Sequence, residues 1–597
     1  APPQGTGTPP SAPPTAGPDL GAALGVNRVP GGIDLKTAIT SGQVSEARLD
    51  DMIRRKLVTI FAVGADRVSG RDGNKLDVAA AHALSLRVAE QGAVLLRNER
   101  RTLPINASVK SIAIIGTQAG PDAQRSTPGS AFVESKAVTS ALDAIKMRAG
   151  AIRVSYSEGS LKLGALPTVP ASVLNAPNGA AGLRVEYFAN PNLDFSGAPL
   201  HSAVDPHIDI RVPTPIPNLP QYNGWSVRWS GKLTPKASGL HNFTIAGAGS
   251  GRLFIGDKLA AHFDRVDFGA ASYATVSLQA GVPVAVRIEF TPREAAPLPA
   301  INLMGTTLGI LMNFGWAEPD DRIARAVEAA RKADVAVIFA ADSHGEGADR
   351  TELGLPGDLN QLIEAVSAAN PKTIVVLNTA GPVSMPWVNK VAAILELWYP
   401  GDVFGQAASR LLFGDAAPQG RLPITFPVNE SQGPATLERN YPGARGLDGA
   451  LDDAHFEEGL LIGYRWFDAR KRAPLFPFGH GLSYAPAQIG KISIDKSGSL
   501  PRVRVTVRNA ASQSTNEVLQ VYLGFPAEAG EPPKRLVAFA KVSVPARGER
   551  EIDLEIPVTA FNVWNETTHG WRSVPGAFEV MVGRSSRDIL YRGAITR

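Results

Sequence analysis

The chain has 597 residues, of which 44% are hydrophobic and 19% charged, an ordinary globular composition at a length that calls for several domains. Its formal net charge is only +4 and no dense Lys/Arg patch occurs, so nucleic acid is not an expected partner. The apolar runs are too short to cross a bilayer, so no membrane partner is expected, and the absence of cysteine excludes disulfides and thiolate metal sites.

The first residue is Ala1, which fits a processed or trimmed start, and residues 1–18 are rich in Pro, Gly and Thr, as in an extended or disordered tether. Ser45 is placed to cap a helix over 46–63, whose Leu49, Met52, Ile53, Leu57, Ile60 and Phe61 share one face that needs a surface to cover it. From Asp77 onward helices and strands alternate: helix 78–91, strand 93–96, strand 111–116, helix 140–148 and strand 151–157. The alternation resumes with helix 321–332 and strand 334–340, then a helix opened by Asp358 as cap and stopped by Pro371, and strands 373–377 and 392–395. Apolar strands alternating with helices predict a mainly parallel sheet covered on both faces.

Between these halves the pattern is all-β, with short runs such as 183–188, 226–230, 252–255 and 284–290 separated by Gly, Pro and Asn. After residue 486 the chain is all-β again, beginning with Val503, Val505 and Val507 at every second position, as in an immunoglobulin-like sandwich. The expected fold class is therefore α/β plus all-β: an α/β/α sandwich with an inserted β-sandwich module and a C-terminal immunoglobulin-like domain. The expected boundaries are a tether and helix over 1–75, the α/β domain over 76–175 and 316–486, the insert over 176–315 and the last domain over 487–597.

The stretch richest in chemistry follows strand 334–340 and reads Ser343-His-Gly-Glu-Gly-Ala-Asp-Arg350. It places the carboxyl group of Glu346 between two glycines at the end of the strand where ligands of open α/β sheets bind, and such a group can donate a proton. Asp349 and Arg350 are read as an ion pair that fixes this loop, or as substrate contacts. His344 is read as exposed loop, His480 as a packed and hydrogen-bonded turn residue, and Glu458 as a structural anchor. In the insert, Tyr222, Trp225 and Trp229 are candidates to stack on a sugar. Trp229 alternates with polar neighbours and is expected in the core, whereas Trp225, beside Asn223-Gly224, is the better ligand candidate. The sequons at Asn106, Asn242, Asn429 and Asn565 matter only in a glycosylating host.

A series of motifs runs through the chain: Gln91-Gly-Ala-Val-Leu-Leu-Arg-Asn98, Gly345-Glu-Gly-Ala-Asp-Arg350, Gly381-Pro-Val-Ser-Met-Pro-Trp387, Trp398-Tyr-Pro-Gly401, Gly420-Arg-Leu-Pro-Ile-Thr-Phe-Pro427, Glu458-Gly-Leu-Leu-Ile-Gly-Tyr-Arg465 and Phe476-Pro-Phe-Gly-His-Gly-Leu-Ser-Tyr484. Together they resemble the second domain of glycoside hydrolase family 3, the β-glucosidase-like enzymes. The insert, through Gly182-Leu-Arg-Val-Glu-Tyr-Phe188 and Ser226-Val-Arg-Trp-Ser-Gly-Lys-Leu-Thr-Pro235, resembles the carbohydrate module named after anthrax protective antigen, and the tail resembles a fibronectin type III-like domain. The resemblance implies a glycosidase with Glu346 as general acid/base and a β-linked oligosaccharide or glucoside as partner; no cofactor and no metal are expected, and the processed-looking start together with polysaccharide chemistry suggests a secreted or periplasmic location.

Three departures from the family pattern qualify this expectation. The family's nucleophile is an Asp, usually followed by Trp, on a (β/α)8 barrel, and no Asp-Trp pair occurs in this sequence; Val44-Ser-Glu-Ala-Arg-Leu-Asp-Asp51 matches the segment that leaves the barrel. These residues alone are therefore expected to be inactive, to need a separate or precursor barrel, or to serve as a non-catalytic carbohydrate-binding or scaffold protein. Ala246-Gly-Ala-Gly-Ser-Gly251 stands where some relatives of the insert carry calcium-binding aspartates, so no calcium is expected there. The family's Gly-rich loop is weakened to Thr127-Pro-Gly-Ser-Ala131.

Overall fold

The computed structural model describes residues 35–67, 77–126, 133, 138–210, 224–292, 301–303, 306–308, 312–345, 350, 352–437, 439–443, 454–496 and 500–597. The chain forms two units, residues 1–81 and residues 82–597. The expected tether, the loop at 127–131, Tyr222, Glu346 and Asp349 lie outside the described residues.

In the first unit the Glu46–Ala62 helix starts as its sequence dictates: the Ser45 hydroxyl accepts the Arg48 amide at 3.2 Å, satisfying a donor that the first turn leaves unpaired. Asp51 holds Arg48, Arg54 and Arg55 along one side. None of the helix's residues is buried, and Ile53, Leu57, Ile60 and Phe61 are all exposed.

The second unit is organised around a six-stranded sheet. Its strands in chain order are β1 (Val94–Asn98), β2 (Ser111–Ile115), β3 (Arg153–Ser157), β4 (Val335–Ala341), β5 (Thr373–Asn378) and β6 (Ala393–Glu396). They lie in the order β1-β6-β5-β4-β2-β3. All neighbours are parallel except β1, which pairs antiparallel with β6 at the edge. Helices Arg322–Arg331 and Leu359–Ala369 cover one face, and Ala141–Ala149 and Phe404–Phe413 the other. The two-residue period of a strand explains the continuous apolar run of β4: Ala336, Ile338 and Ala340 enter one core while Val335, Val337 and Phe339 enter the other. Asp358 does stand at the start of the Leu359–Ala369 helix, but its side chain does not cap it. The carboxylate accepts the Leu161 amide at 3.3 Å and faces Arg322 Nη2 at 3.6 Å, so tertiary partners take the group that local pattern assigned to the helix.

Between β3 and β4 the chain builds the inserted β-module, whose strands run from Leu174–Asn175 to Met312–Ala317 and surround one core. Two long strands, Gly239–Ile255 and Lys258–Leu278, dominate it. The first changes partner part-way. Residues 242–247 pair with Met312–Ala317, whereas residues 249–255 pair with Val284–Pro292. The small-residue run 246–251 lies at this switch, with Gly249 at φ 135° and Gly251 so close to the Phe263 ring that a Cβ would meet it at 2.5 Å.

The C-terminal domain packs a three-stranded sheet, with Arg502–Arg508 at its centre, on a four-stranded sheet containing Thr515–Gly524. Val503, Val505 and Val507 all enter its core. Two buried ion pairs, Arg421 to Glu517 at 2.7 Å and Lys534 to Asp468 at 2.5 Å, tie this domain to the α/β part, and the more exposed Arg587 also reaches Asp468 at 3.0 Å. Among the described residues no helix is long and apolar enough to cross a membrane.

Candidate active site

The loops that leave the carboxyl ends of β2, β4, β5 and β6 gather on one edge of the sheet, where an open parallel sheet presents its ligand site. Space there is tight. Gly116, just beyond β2, has φ 109°, and a Cβ on it would lie 2.3 Å from the Phe339 carbonyl oxygen, so only glycine fits.

A buried polar side chain stands at the end of each of the strands β4, β5 and β6: Asp342 just beyond β4, and Asn378 and Glu396 as the last residues of β5 and β6. Asp342 is fully buried and joins three loops. Its Oδ1 accepts the Ala380 amide at 3.0 Å and the Tyr399 hydroxyl, and its Oδ2 lies 3.7 Å from Arg350 Nη1. The Asn378 amide donates to the Gln124 carbonyl of the loop after β2. Glu396 accepts the Trp398 amide and the Thr379 hydroxyl, both at 2.8 Å. Burial in this apolar surrounding pushes its carboxyl up to about 8, with the Asp342 charge adding to the effect. Burial likewise raises the Tyr399 phenol, reinforced by its bond to Asp342. His344, expected on exposed loop, is instead half-buried beside Tyr399, and burial pushes its imidazole down to about 4, so it is neutral at physiological pH.

The Ser343–Arg350 loop is held at both of its described ends. On the near side the His344 amide points at the Tyr399 hydroxyl at 3.5 Å. On the far side Arg350 Nη1 donates to the Pro382 carbonyl at 2.7 Å, and its own carbonyl accepts the Tyr441 hydroxyl at 2.8 Å. Arg350 is thus a brace between loops. Among the described residues its Nε and Nη2, with Asp342 Oδ2 and Asn378 Oδ1, are buried without a hydrogen-bond partner.

Other sequence candidates settle differently. Trp225 is only 4% exposed and packs against Tyr187 and Phe290 at ring separations of 5.7 and 6.4 Å. Its assignment as a sugar-stacking ring is corrected: it is a core residue and offers no open face to a ligand. Trp229 is fully buried and donates its indole N–H to Asp205 at 2.7 Å. His480 bonds the Leu96 carbonyl at 2.9 Å and stacks on Phe476. Among the described residues no three His, Asp or Glu side chains come together as a metal site. The buried trio at the strand ends was not among the sequence candidates, although a polar residue closing each apolar strand run was a legible signal.

A sequence profile of the glycosyl hydrolase family 3 C-terminal domain matches residues 93–484, and one of the fibronectin type III-like domain matches residues 517–586. The chain belongs to glycoside hydrolase family 3. A β-glucosidase from Rhizobium radiobacter is 31% identical over 582 residues, and a probable β-glucosidase H from Neosartorya fischeri 29% over 586. Each match covers 94% of this chain and 68% of the relative. Among solved structures, the β-glucosidase DesR from Streptomyces venezuelae, in complex with D-glucose, is 31% identical with a TM-score of 0.68, covering 94% of this chain and 66% of that one. A Kluyveromyces marxianus β-glucosidase, at 24% identity and a TM-score of 0.62, shares the fold over 94% of this chain and 69% of that structure. The chain therefore spans about two-thirds of the length of the proteins it matches.

Proposed function

We propose that this family 3 chain carries the acid/base half of a β-glucosidase-type site that removes terminal β-D-glucosyl or related residues. Glu346 is the proton donor, and the attacking carboxylate belongs to a barrel outside these residues. The observation that carries the reading is the position of the Gly345-Glu-Gly-Ala-Asp-Arg350 motif: it follows β4, inside the parallel sheet, at the ligand edge. Relatives named as β-glucosidases across nearly all of the chain support it.

A retaining glycosidase sets two carboxyl groups about 5–5.5 Å apart, one attacking the sugar carbon and one protonating the departing oxygen. In this proposal Glu346 gives its proton to the glycosidic oxygen, then takes one from the water that releases the sugar. Arg350, Asp342 and Tyr399 would serve as braces at the described ends of this loop, positioning it by their bonds rather than by contact with the substrate.

The test is an assay of the chain joined to its barrel, using aryl β-glucosides. Glu346→Ala should lower kcat/KM by about 10²–10⁴-fold for poor leaving groups. Much less should be lost for a dinitrophenolate, which leaves without a proton, and azide should restore turnover by giving a glucosyl azide. Unchanged activity would remove Glu346 from the mechanism. Turnover by these 597 residues alone would place the attacking carboxylate within them. An inert full-length protein that still binds oligosaccharide would favour the scaffold reading.

A further inference from the structure

The chain holds eight tryptophans, and six of them are buried or half-buried. Trp229, Trp316, Trp387, Trp398 and Trp466 each donate the indole N–H to a protein acceptor, at 2.7 to 3.1 Å, and Trp225 lies in the core of the insert. Trp564 and Trp571 depart from this pattern. They are 49% and 66% exposed, and neither indole N–H has a protein acceptor among the described residues. They also stand together. Strands Asn562–Asn565 and Gly570–Ser573 form a hairpin of the fibronectin-like domain in which the two residues are directly opposite, with ring centroids 5.5 Å apart and ring planes at 77°.

The hairpin is a firm mount. The strand period sends Val563 into the domain core, where Val574 joins it just past the second strand, so the two tryptophans stand on the opposite face, toward solvent. Arg535 Nη2 donates to the Ala560 and Asn562 carbonyls at 2.6 and 2.9 Å, and the Asn565 side chain accepts the Thr568 amide at 3.0 Å within the turn. A cross-strand pair steadies a hairpin, but smaller β-branched pairs do so without holding two large apolar rings in water.

Area and charge select the occupant. At these exposures the rings offer on the order of 200–300 Å², well below the roughly 800 Å² that each partner gives to a stable protein interface. The charged residues beside them, Glu566 in the turn and Arg572 in the second strand, are one of each sign, so nothing there draws the hairpin to an anionic membrane surface. The next pair along the same face, Asn562 opposite Ser573, supplies neutral donors and acceptors. An apolar ring surface edged by an amide and a hydroxyl matches a sugar ring, which has C–H faces and a rim of hydroxyls.

We propose that this hairpin is a binding platform for β-linked glucan chains, separate from the sheet edge. In such a chain the ring substituents are equatorial, so each glucose presents a flat apolar face. Trp571, the more exposed ring, carries one such face, Trp564 bounds the seat at its side, and Asn562 and Ser573 meet the hydroxyls. The ligand class agrees with the relatives of this chain, which are β-glucosidases. Because the mount is fixed before binding, little ordering is lost when a chain settles on it. The platform stands whether or not Glu346 is a catalyst.

The experiment is affinity electrophoresis of the whole chain in gels containing mixed-linkage β-glucan, with a cellohexaose titration followed by tryptophan fluorescence. The glucan gel should retard the chain and an α-linked dextran gel should not. Cellohexaose should shift the emission to shorter wavelength with a Kd of about 1 mM or tighter. Trp571→Ala, and Trp571→Thr, which keeps a strand-forming residue, should each raise Kd roughly tenfold or more and lose the fluorescence shift. The melting temperature reports that the variants are folded. Glu346→Ala should bind as the wild type does, so a failure here is distinct from a failure of the acid/base reading. The proposal is overturned if the glucan gel does not retard the wild type. It is equally overturned if the Trp571 variants lose thermal stability yet bind glucan unchanged, which makes the pair a hairpin staple only. Loss of vesicle binding or of self-association in those variants, with glucan binding intact, would assign the rings to a membrane or a second copy and overturn it as well.

Discussion

Glu396 gives the strongest test of the buried chemistry at the sheet edge. The hydroxyl of Thr379 has one proton and two acceptors in reach, Glu396 Oε2 at 2.8 Å and the Gly381 carbonyl at 3.0 Å. An ionised Glu396 accepts this proton, as described above; once Glu396 is neutral the bond reverses, Glu396 donating to Thr379 and Thr379 to Gly381. The geometry and the upward push to about 8 agree. The folded state then holds a proton that the unfolded chain has released between pH 4.5 and about 8. Because the folded form binds more protons in that window, stability falls as pH rises through it and levels off above the folded value. At about 1.4 kcal/mol per pH unit the full span corresponds to roughly 5 kcal/mol. Loop relaxation and water entry reduce this, so a loss of about 2–4 kcal/mol is expected. Glu396→Gln should abolish the slope. Its amide oxygen accepts from Trp398 and its NH₂ donates to Thr379, so the variant should match the wild type near pH 5 and exceed it near pH 9. Urea unfolding of both proteins at intervals across that range measures the difference directly. Parallel profiles would mean that Glu396 is ionised in the folded protein, and the argument from its burial would fail.

Two further outcomes follow from groups already placed. Glu517→Ala leaves Arg421 charged and unpaired at the domain joint and should cost about 3–5 kcal/mol in urea unfolding, whereas replacing both by apolar residues should recover much of it. Trp225→Ala should destabilise the inserted module by about 3–5 kcal/mol, read as an early thermal transition. It should leave oligosaccharide affinity of the folded fraction unchanged, and a selective loss of affinity would restore the ring as a ligand contact.

The architecture was legible because its signals are local. Apolar runs with flanking helices gave the parallel sheet, and every-second-residue valines gave the last domain. Ser45 before an apolar stripe gave a helix start that the structure repeats to the residue. What stayed hidden depended on partners far along the chain. Asp358 carries the local mark of a cap, but Leu161 and Arg322 hold its carboxylate instead. The direction of β1 is set by how the chain enters the edge of the sheet, which composition does not encode. Trp225 is the instructive miss. Counting back by twos from Trp229 through Val227 puts all three on the core face, so the strand period outweighed the neighbouring Asn-Gly that suggested a loop.

The buried polar groups at the strand ends were hidden for a related reason: the bond from Tyr399 to Asp342 joins residues 57 positions apart and has no local signature. Even so, this edge is marked physically. Asp342, Asn378 and Arg350 contribute four of the eleven buried side-chain atoms without a hydrogen-bond partner among the described residues. A domain core normally leaves few such atoms, because each forfeits its hydration. Their concentration at the carboxyl ends of β4 and β5 separates this edge from the rest of the sheet. The polar groups there are arranged to a plan other than stability, which is the condition expected where a fold holds chemistry rather than only itself.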